Sequence, residues 1–268
     1  MSHSHEMSFE RDAGTSVIDV SPSDMPKVNL LPPLQPTQDL LLKTCKYLFS
    51  KGTFAKNAPF KGFLLHGPVG TGKTEIVRQV VRRLGEELND KCTVRFIPVD
   101  SSVIASPKWG ESEKAFNRIF GYVETLQNRF KDPKVVLLFD DVESLMLSRG
   151  MSAAKEWHYS LNSVFFHKVD SQNPSEIITF ATTNRLDLLD SAIKTRLYGL
   201  FVPRVSIDLL VSAANDLLDT MLTPDQVKER EIVIEEVRKK LDEMENPTIR
   251  DTRQLIIVTI IEKGIWSA

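Results

Sequence analysis

Gly67-Pro-Val-Gly-Thr-Gly-Lys-Thr74 decides the reading of this chain. The octapeptide fits G-x-x-x-x-G-K-[ST], a loop built to hold phosphate. Its glycines let the backbone wrap an anion and aim N–H groups inward. A helix beginning inside the loop adds its positive N-terminal end. Lys73 is placed to reach the outer phosphates of a nucleoside triphosphate, and the Thr74 hydroxyl to ligate Mg²⁺. Such a loop needs a strand before it and a helix after it. Gly62-Phe-Leu-Leu-His66 is a short apolar run that reads as a buried strand. From Lys73 to Leu84, residues Ile76, Val77, Val80, Val81 and Leu84 fall along one helical face.

Outward from the loop the same alternation continues. A helix is expected over 37–50, with Leu40, Leu41, Thr44 and Leu48 on one side. Further strands are expected over 93–100, 135–139, 177–182 and, more weakly, 199–202. A helix over 111–130 places Phe116, Ile119, Phe120 and Val123 at i, i+3, i+4 and i+7. Continuous apolar strands alternating with helices predict an α/β fold, a parallel sheet with helices on both faces. After Pro203 the pattern becomes helical only, over 206–222, 234–244 and 248–261. The expected organisation is therefore a flexible tail over 1–30, a nucleotide-binding domain over 31–205 and a small all-helical lid over 206–268.

The strand at 135–139 runs into Asp140-Asp-Val-Glu143. Ligands of open parallel sheets bind at the C-terminal strand ends, where Asp140 would stand. Its carboxylate is the expected second holder of Mg²⁺, beside Thr74. Asp141 takes the position of the base that orients an attacking water.

With the phosphate loop and this acidic strand end, the chain resembles the AAA+ ATPases over residues 31–268. The resemblance implies ATP with Mg²⁺ as cofactors and the whole loop, Gly67, Pro68, Val69, Gly70, Thr71, Gly72, Lys73 and Thr74, as the ATP cradle. Relatives usually carry Asp-Glu where this chain has Asp140-Asp141. Aspartate is one methylene shorter, which puts the rate of hydrolysis, not nucleotide binding, in question. Glu143 is a possible substitute, although its spacing fits poorly. Thr183-Asn184 resembles the end of the family's first sensor strand, which makes Asn184 the polar residue between the γ-phosphate and the acidic strand end. Asp190-Ser-Ala-Ile-Lys-Thr-Arg196 resembles the segment ending in an arginine finger, which acts on a neighbouring subunit's nucleotide. Arg196 is that candidate, and Lys194 is the only other cation in the segment. Thr248-Ile-Arg-Asp-Thr-Arg-Gln-Leu255 resembles the second sensor helix, with Arg250 as the matching residue and Arg253 as the alternative.

Pro107-Lys-Trp-Gly-Glu-Ser-Glu-Lys114 resembles the first pore loop of protein-remodelling members, with Lys108 and Trp109 as the substrate-gripping pair. The aromatic stands one residue before Gly110, where relatives usually have two. Ser148-Arg-Gly150 resembles the start of a second pore loop. Within the family, the Asp140–Ser144 pattern, the Trp109 loop, the 162–170 helix end and the single-arginine spacing most resemble the ATPases that remodel HORMA-domain proteins. The resemblance implies a homo-oligomer, a hexamer in such proteins, acting on a protein substrate, without the folded N-terminal adaptor domain of the eukaryotic members.

Bulk properties agree with that reading. The chain has 268 residues, 41% hydrophobic and 26% charged, with a formal net charge of −2. That balance disfavours a nucleic-acid partner, as does a tryptophan-bearing rather than a basic pore loop. No apolar run reaches the ~18 residues of a membrane span, so no membrane partner is expected and a cytoplasmic location is. Cys45 and Cys92 lie outside any paired spacing and read as reduced thiols. His3 and His5 lack a third ligand nearby and read as part of the tail.

Overall fold

A computed structural model describes residues 17–51, 57–104, 110–148, 156–223 and 225–265. Five strands form one sheet: β1 (Gly62–His66), β2 (Thr93–Asp100), β3 (Pro133–Asp140), β4 (Ile177–Thr183) and β5 (Leu197–Phe201). Their order across the sheet is β2-β3-β4-β1-β5, and every pairing is parallel. Besides a single helical turn at Ser101–Ile104, the described helices of this part are α1 (Gln35–Ser50), α2 (Lys73–Leu88), α3 (Glu111–Arg129), α4 (Glu156–Ser171) and α5 (Ser191–Arg196). Then come α6 (Ile207–Met221), α7 (Val227–Asp242) and α8 (Ile249–Glu262).

The sheet is apolar on both faces because both are covered. Strand β3 demonstrates it with a period of two. Val135, Leu137 and Phe139 pack with Phe116, Ile119, Phe120, Val123 and Phe165 of α3 and α4. Val136 and Leu138 turn the other way, to Leu41 and Leu48 of α1 and Ile76, Val80 and Leu84 of α2. The three last helices hold a core of their own, built from Leu210, Ala214, Leu218, Val233, Val237, Leu241, Ile256 and Ile260. Among the described residues no helix is long and apolar enough to cross a membrane.

The expected strands at 62–66 and 93–100 match the observed bounds, and the weak fifth strand lies two residues earlier than expected at its start. Helix α7 begins at Val227, not near 234, because its charged first turn hides the apolar period. The flexible tail through residue 30 is corrected for 17–30. Val20 bridges Phe96 through two backbone hydrogen bonds, of 2.8 and 3.0 Å. Asp19 accepts from Arg95 Nε and from the Tyr122 hydroxyl, both at 2.8 Å. Met25 and Leu30 are buried. The physical reason is the exposed edge of β2, whose backbone groups this segment pairs in part. His3 and His5 lie outside the described residues.

Candidate functional site

The loop after β1 is shaped by backbone geometry first. Gly72 sits in the left-handed region at φ 87° and is the N-cap of α2, a conformation that strains residues with a Cβ. At Gly70 a Cβ would stand 2.4 Å from Thr248 Cγ2, so the loop touches the start of α8 without room for a side chain. Val69, Gly70, Thr71, Val205, Pro247 and Thr248 line a cleft between the loop and the last three helices. Sequence reasoning did not mark Val205 and Pro247, since nothing local connects them to the loop.

Lys73, the first residue of α2, is 6% exposed. Its ammonium donates to Gly67 O at 2.9 Å, Pro68 O at 2.7 Å and Asn184 Oδ1 at 2.6 Å. Burial lowers its pKa, and the negative charges of Asp141, Glu143 and Asp140 oppose that shift. The next side chain crosses to the acidic strand end, where Thr74 Oγ1 donates to Asp140 Oδ1 at 2.8 Å. Thr182 Oγ1 donates to the same carboxylate oxygen and accepts from Asp141 N at 3.1 Å. Thr182 is an unpredicted member of the site; a hydroxyl near the end of an apolar buried strand is its only signal.

Asp141 lies in the left-handed region, at φ 49° and ψ 53°, and opens a single 3₁₀ turn over Val142–Ser144. Aspartate tolerates that region better than most residues. Partial desolvation raises its pKa, the charges of Asp140 and Glu143 raise it further, and Lys73 opposes them. Asn184 joins these groups. Its Nδ2 donates to Asp141 Oδ1 at 3.0 Å, its backbone N–H to Glu143 Oε1 at 3.2 Å, and its Oδ1 accepts from Lys73. Glu143, whose spacing fits the site poorly in sequence, is thereby part of it, held by the 3₁₀ turn. Its second oxygen, Oε2, is buried and has no hydrogen-bond partner among the described residues.

These residues suit ATP and Mg²⁺. Lys73 is a buried cation whose direct partners are carbonyl and amide oxygens rather than carboxylates, so anionic oxygen can replace them. The Thr74 hydroxyl and the Asp140 carboxylate are hard oxygen donors converging on one point, the donor class Mg²⁺ prefers.

The remaining predicted residues lie elsewhere. Arg196 ends α5 and forks Asp170 of α4, with Nε to Oδ1 and Nη2 to Oδ2 both at 2.8 Å. Arg250 stands in the first turn of α8 and Arg253 one turn later; both are exposed. Lys108, Trp109 and the 149–150 part of the second pore-loop match lie outside the described residues.

The family model of the AAA ATPases, "ATPase family associated with various cellular activities", matches residues 63–204. A chain of the solved E. coli MS115-1 HORMA:CdnC:Trip13 complex matches with a TM-score of 0.70 and 20% identity, over 95% of this chain and 89% of that one. The C. elegans PCH-2 structure matches with a TM-score of 0.61 and 17% identity, over 87% and 70%. At such identities the likeness concerns the fold. In sequence, an "AAA ATPase forming ring-shaped complexes" of Corynebacterium efficiens is 31% identical over 136 residues, 50% of this chain and 26% of its own length. The "Cell division control protein 48 homolog B" of Arabidopsis thaliana is 30% identical over 165 residues, 60% of this chain and 25% of its own length. The chain thus spans about a quarter of the length of these curated relatives. With the phosphate loop, the acidic strand end and the β2-β3-β4-β1-β5 sheet all inside or beside the matched region, the chain belongs to the AAA ATPase family.

Proposed function

We propose that this chain hydrolyses ATP within a ring of like subunits, a hexamer, and uses the turnover to remodel a protein. The observation that carries the hydrolytic part is the placement of Asn184. It contacts the phosphate-loop lysine on one side and Asp141 on the other. A γ-phosphate between Lys73 and Asn184 would face Asp141, which is where an attacking water must be oriented. Thr74 and Asp140 would hold Mg²⁺, which supplies charge neutralisation on the phosphates. Arg196 is assigned to the neighbour's nucleotide and Arg250 to the nucleotide of its own chain. Residues 206–268 act as the lid over the cleft beside Gly70.

The protein-remodelling part rests on the fold likeness to a chain of a HORMA:CdnC:Trip13 complex and to PCH-2, and on the ring-forming relatives. A HORMA-domain protein is the first substrate to test, gripped by Lys108 and Trp109 in a central pore. Lys73→Ala should abolish ATP binding while the far-UV spectrum stays unchanged. Turnover should rise on addition of the cognate HORMA protein, and Trp109→Ala should remove that rise while basal turnover persists. Unchanged ATP affinity in Lys73→Ala would overturn the nucleotide assignment. Equal stimulation in Trp109→Ala would overturn the pore assignment.

A further inference from the structure

The arginine assigned to the neighbouring subunit is unusually well anchored for a side chain that must act outside its own chain. Its backbone is fixed first. Arg196 closes α5, and its carbonyl accepts from Lys61 N at 2.8 Å, at the point where β1 and β5 begin to pair. The guanidinium is fixed next, from three directions. Its Nε/Nη2 edge forks the Asp170 carboxylate, its Nη1 donates to Ala192 O at 3.1 Å, and its face lies 4.7 Å from the centre of the Phe166 ring. Asp170 and Phe166 sit one turn apart on α4, so one helix face supplies both the fork and the platform. Phe166 is itself buried, 7% exposed, in the core under α4, which makes the platform rigid.

A guanidinium has five N–H groups. Asp170 takes two and Ala192 O takes one. Among the described residues, one N–H of Nη1 and one of Nη2 are left to meet anionic oxygen. The side chain keeps 27% of its surface exposed, so it is not sealed inside its own chain. Exposed ion pairs contribute little to stability, and Asp170 is 49% exposed. A forked pair is the surface geometry that can also add to stability, so its orienting role has to be separated from its stabilising one by experiment.

We infer that Asp170 is a positioning residue for Arg196: with Phe166 it holds the guanidinium so that its two remaining N–H groups face a phosphoryl group on the adjoining subunit. This deepens the proposed function and rests on the assignment of Arg196 in trans. Misplacing a catalytic group by about an ångström lowers rates on the order of a hundredfold. Asp170→Asn, which loses the forked charge, should lower kcat about ten- to a hundredfold with KM for ATP within about twofold. Asp170→Glu should restore part of the loss, because it restores a forking carboxylate. Phe166→Leu should show a smaller fall of the same kind.

The decisive experiment uses the full chain in four forms: wild type, Arg196→Ala, Asp170→Asn and Lys73→Ala. Affinities for ATP and for ADP with aluminium fluoride are measured beside turnover and melting temperature. The expected result for Asp170→Asn is unchanged ATP affinity and melting temperature, weakened ADP–aluminium fluoride binding, and lowered kcat. Mixing Asp170→Asn with Lys73→Ala subunits should recover turnover, since a sound site on one subunit then meets a sound arginine on the next. A merely structural Asp170 would give no recovery, and that result overturns the inference. Faster turnover in Asp170→Asn than in wild type also overturns it, by showing that the carboxylate restrains the arginine. Full turnover in Arg196→Ala would instead remove the trans assignment beneath it. Loss in Arg196→Ala with full turnover in Asp170→Asn removes the positioning role alone.

Discussion

Replacing Thr182 by valine removes one oxygen and keeps the shape of the side chain, and it should disturb the site from within. Thr182 is 1% exposed, so no bulk water replaces the lost hydroxyl. Two hydrogen bonds disappear. One is donated to Asp140, and the other is accepted from the Asp141 backbone N–H. A bond to a charged group contributes about 1.5–3 kcal/mol and a neutral one about 1 kcal/mol. Asp140 keeps its bond from Thr74 and is only partly buried, so the lower end applies and the sum is about 2–3 kcal/mol. For a chain of this size that corresponds to a fall of roughly 5–10 °C in melting temperature. The same change frees the Asp140 carboxylate to rotate away from Thr74, so the Mg²⁺ concentration for half-maximal ATP binding should rise several-fold. Calorimetry and Mg²⁺ titrations of nucleotide binding measure the two effects, with Thr182→Ser as the control that keeps the hydroxyl. A melting temperature and Mg²⁺ dependence equal to wild type in Thr182→Val would refute the reasoning.

Three further outcomes are expected. Asp141→Asn should keep ATP bound and lower turnover by about 10²–10⁴-fold, the contribution of a placed general base; Asp141→Glu should lower it less, because the left-handed backbone at φ 49° suits the shorter side chain, and a faster Glu variant would contradict that account. A base works deprotonated, and burial with two neighbouring carboxylates raises the Asp141 pKa, so kcat/KM should fall on acidification at a pH above the ordinary aspartate range, and Glu143→Gln should move that limb downward; an unmoved limb would exclude the coupling. Burial drives the Cys45 thiol far up while Cys92 is half-buried and raised less, so a thiol reagent at pH 8 should modify only Cys92 in the folded protein, and both after denaturation; labelling of native Cys45 would disprove its enclosure.

The sheet was readable where residues are buried on both faces. Strand β1 is an apolar run that stops at Gly67, and the edge strand β2 keeps Val94, Phe96, Ile97 and Val99 buried up to Asp100; the expected bounds of both coincide with the observed ones. Strand β5 starts earlier than its sequence suggests because Leu197 is its one buried residue, while Tyr198 and Phe201 are exposed and leave no apolar run to follow. Residues 17–30 were misread for a related reason. Their contacts are one bridge to Phe96, one carboxylate on Arg95 and two isolated apolar anchors, none of which imposes a local period.

The site divides in the same way. Lys73 and Thr74 belong to one contiguous motif, and Asp140 and Asp141 to another, so each pair could be recognised from its own neighbours. What no local pattern contains is the order of strands. Strand β4 lies between β3 and β1, with Phe139 opposite Ala181 on one side and Leu65 opposite Thr182 on the other. The residues that follow this register, Thr182 and Asn184, therefore emerge between the acidic strand end and the phosphate loop. That position obliges Thr182 to meet Asp140, and lets Asn184 touch Lys73 and Asp141 at once. It also explains Glu143. The 3₁₀ turn after Asp141 folds the chain back toward the end of β4, where the Asn184 N–H needs an acceptor once its strand has ended. The chemistry of each piece is local, but the middle position of β4 is a property of topology, and it is topology that turns three separate segments into one constellation.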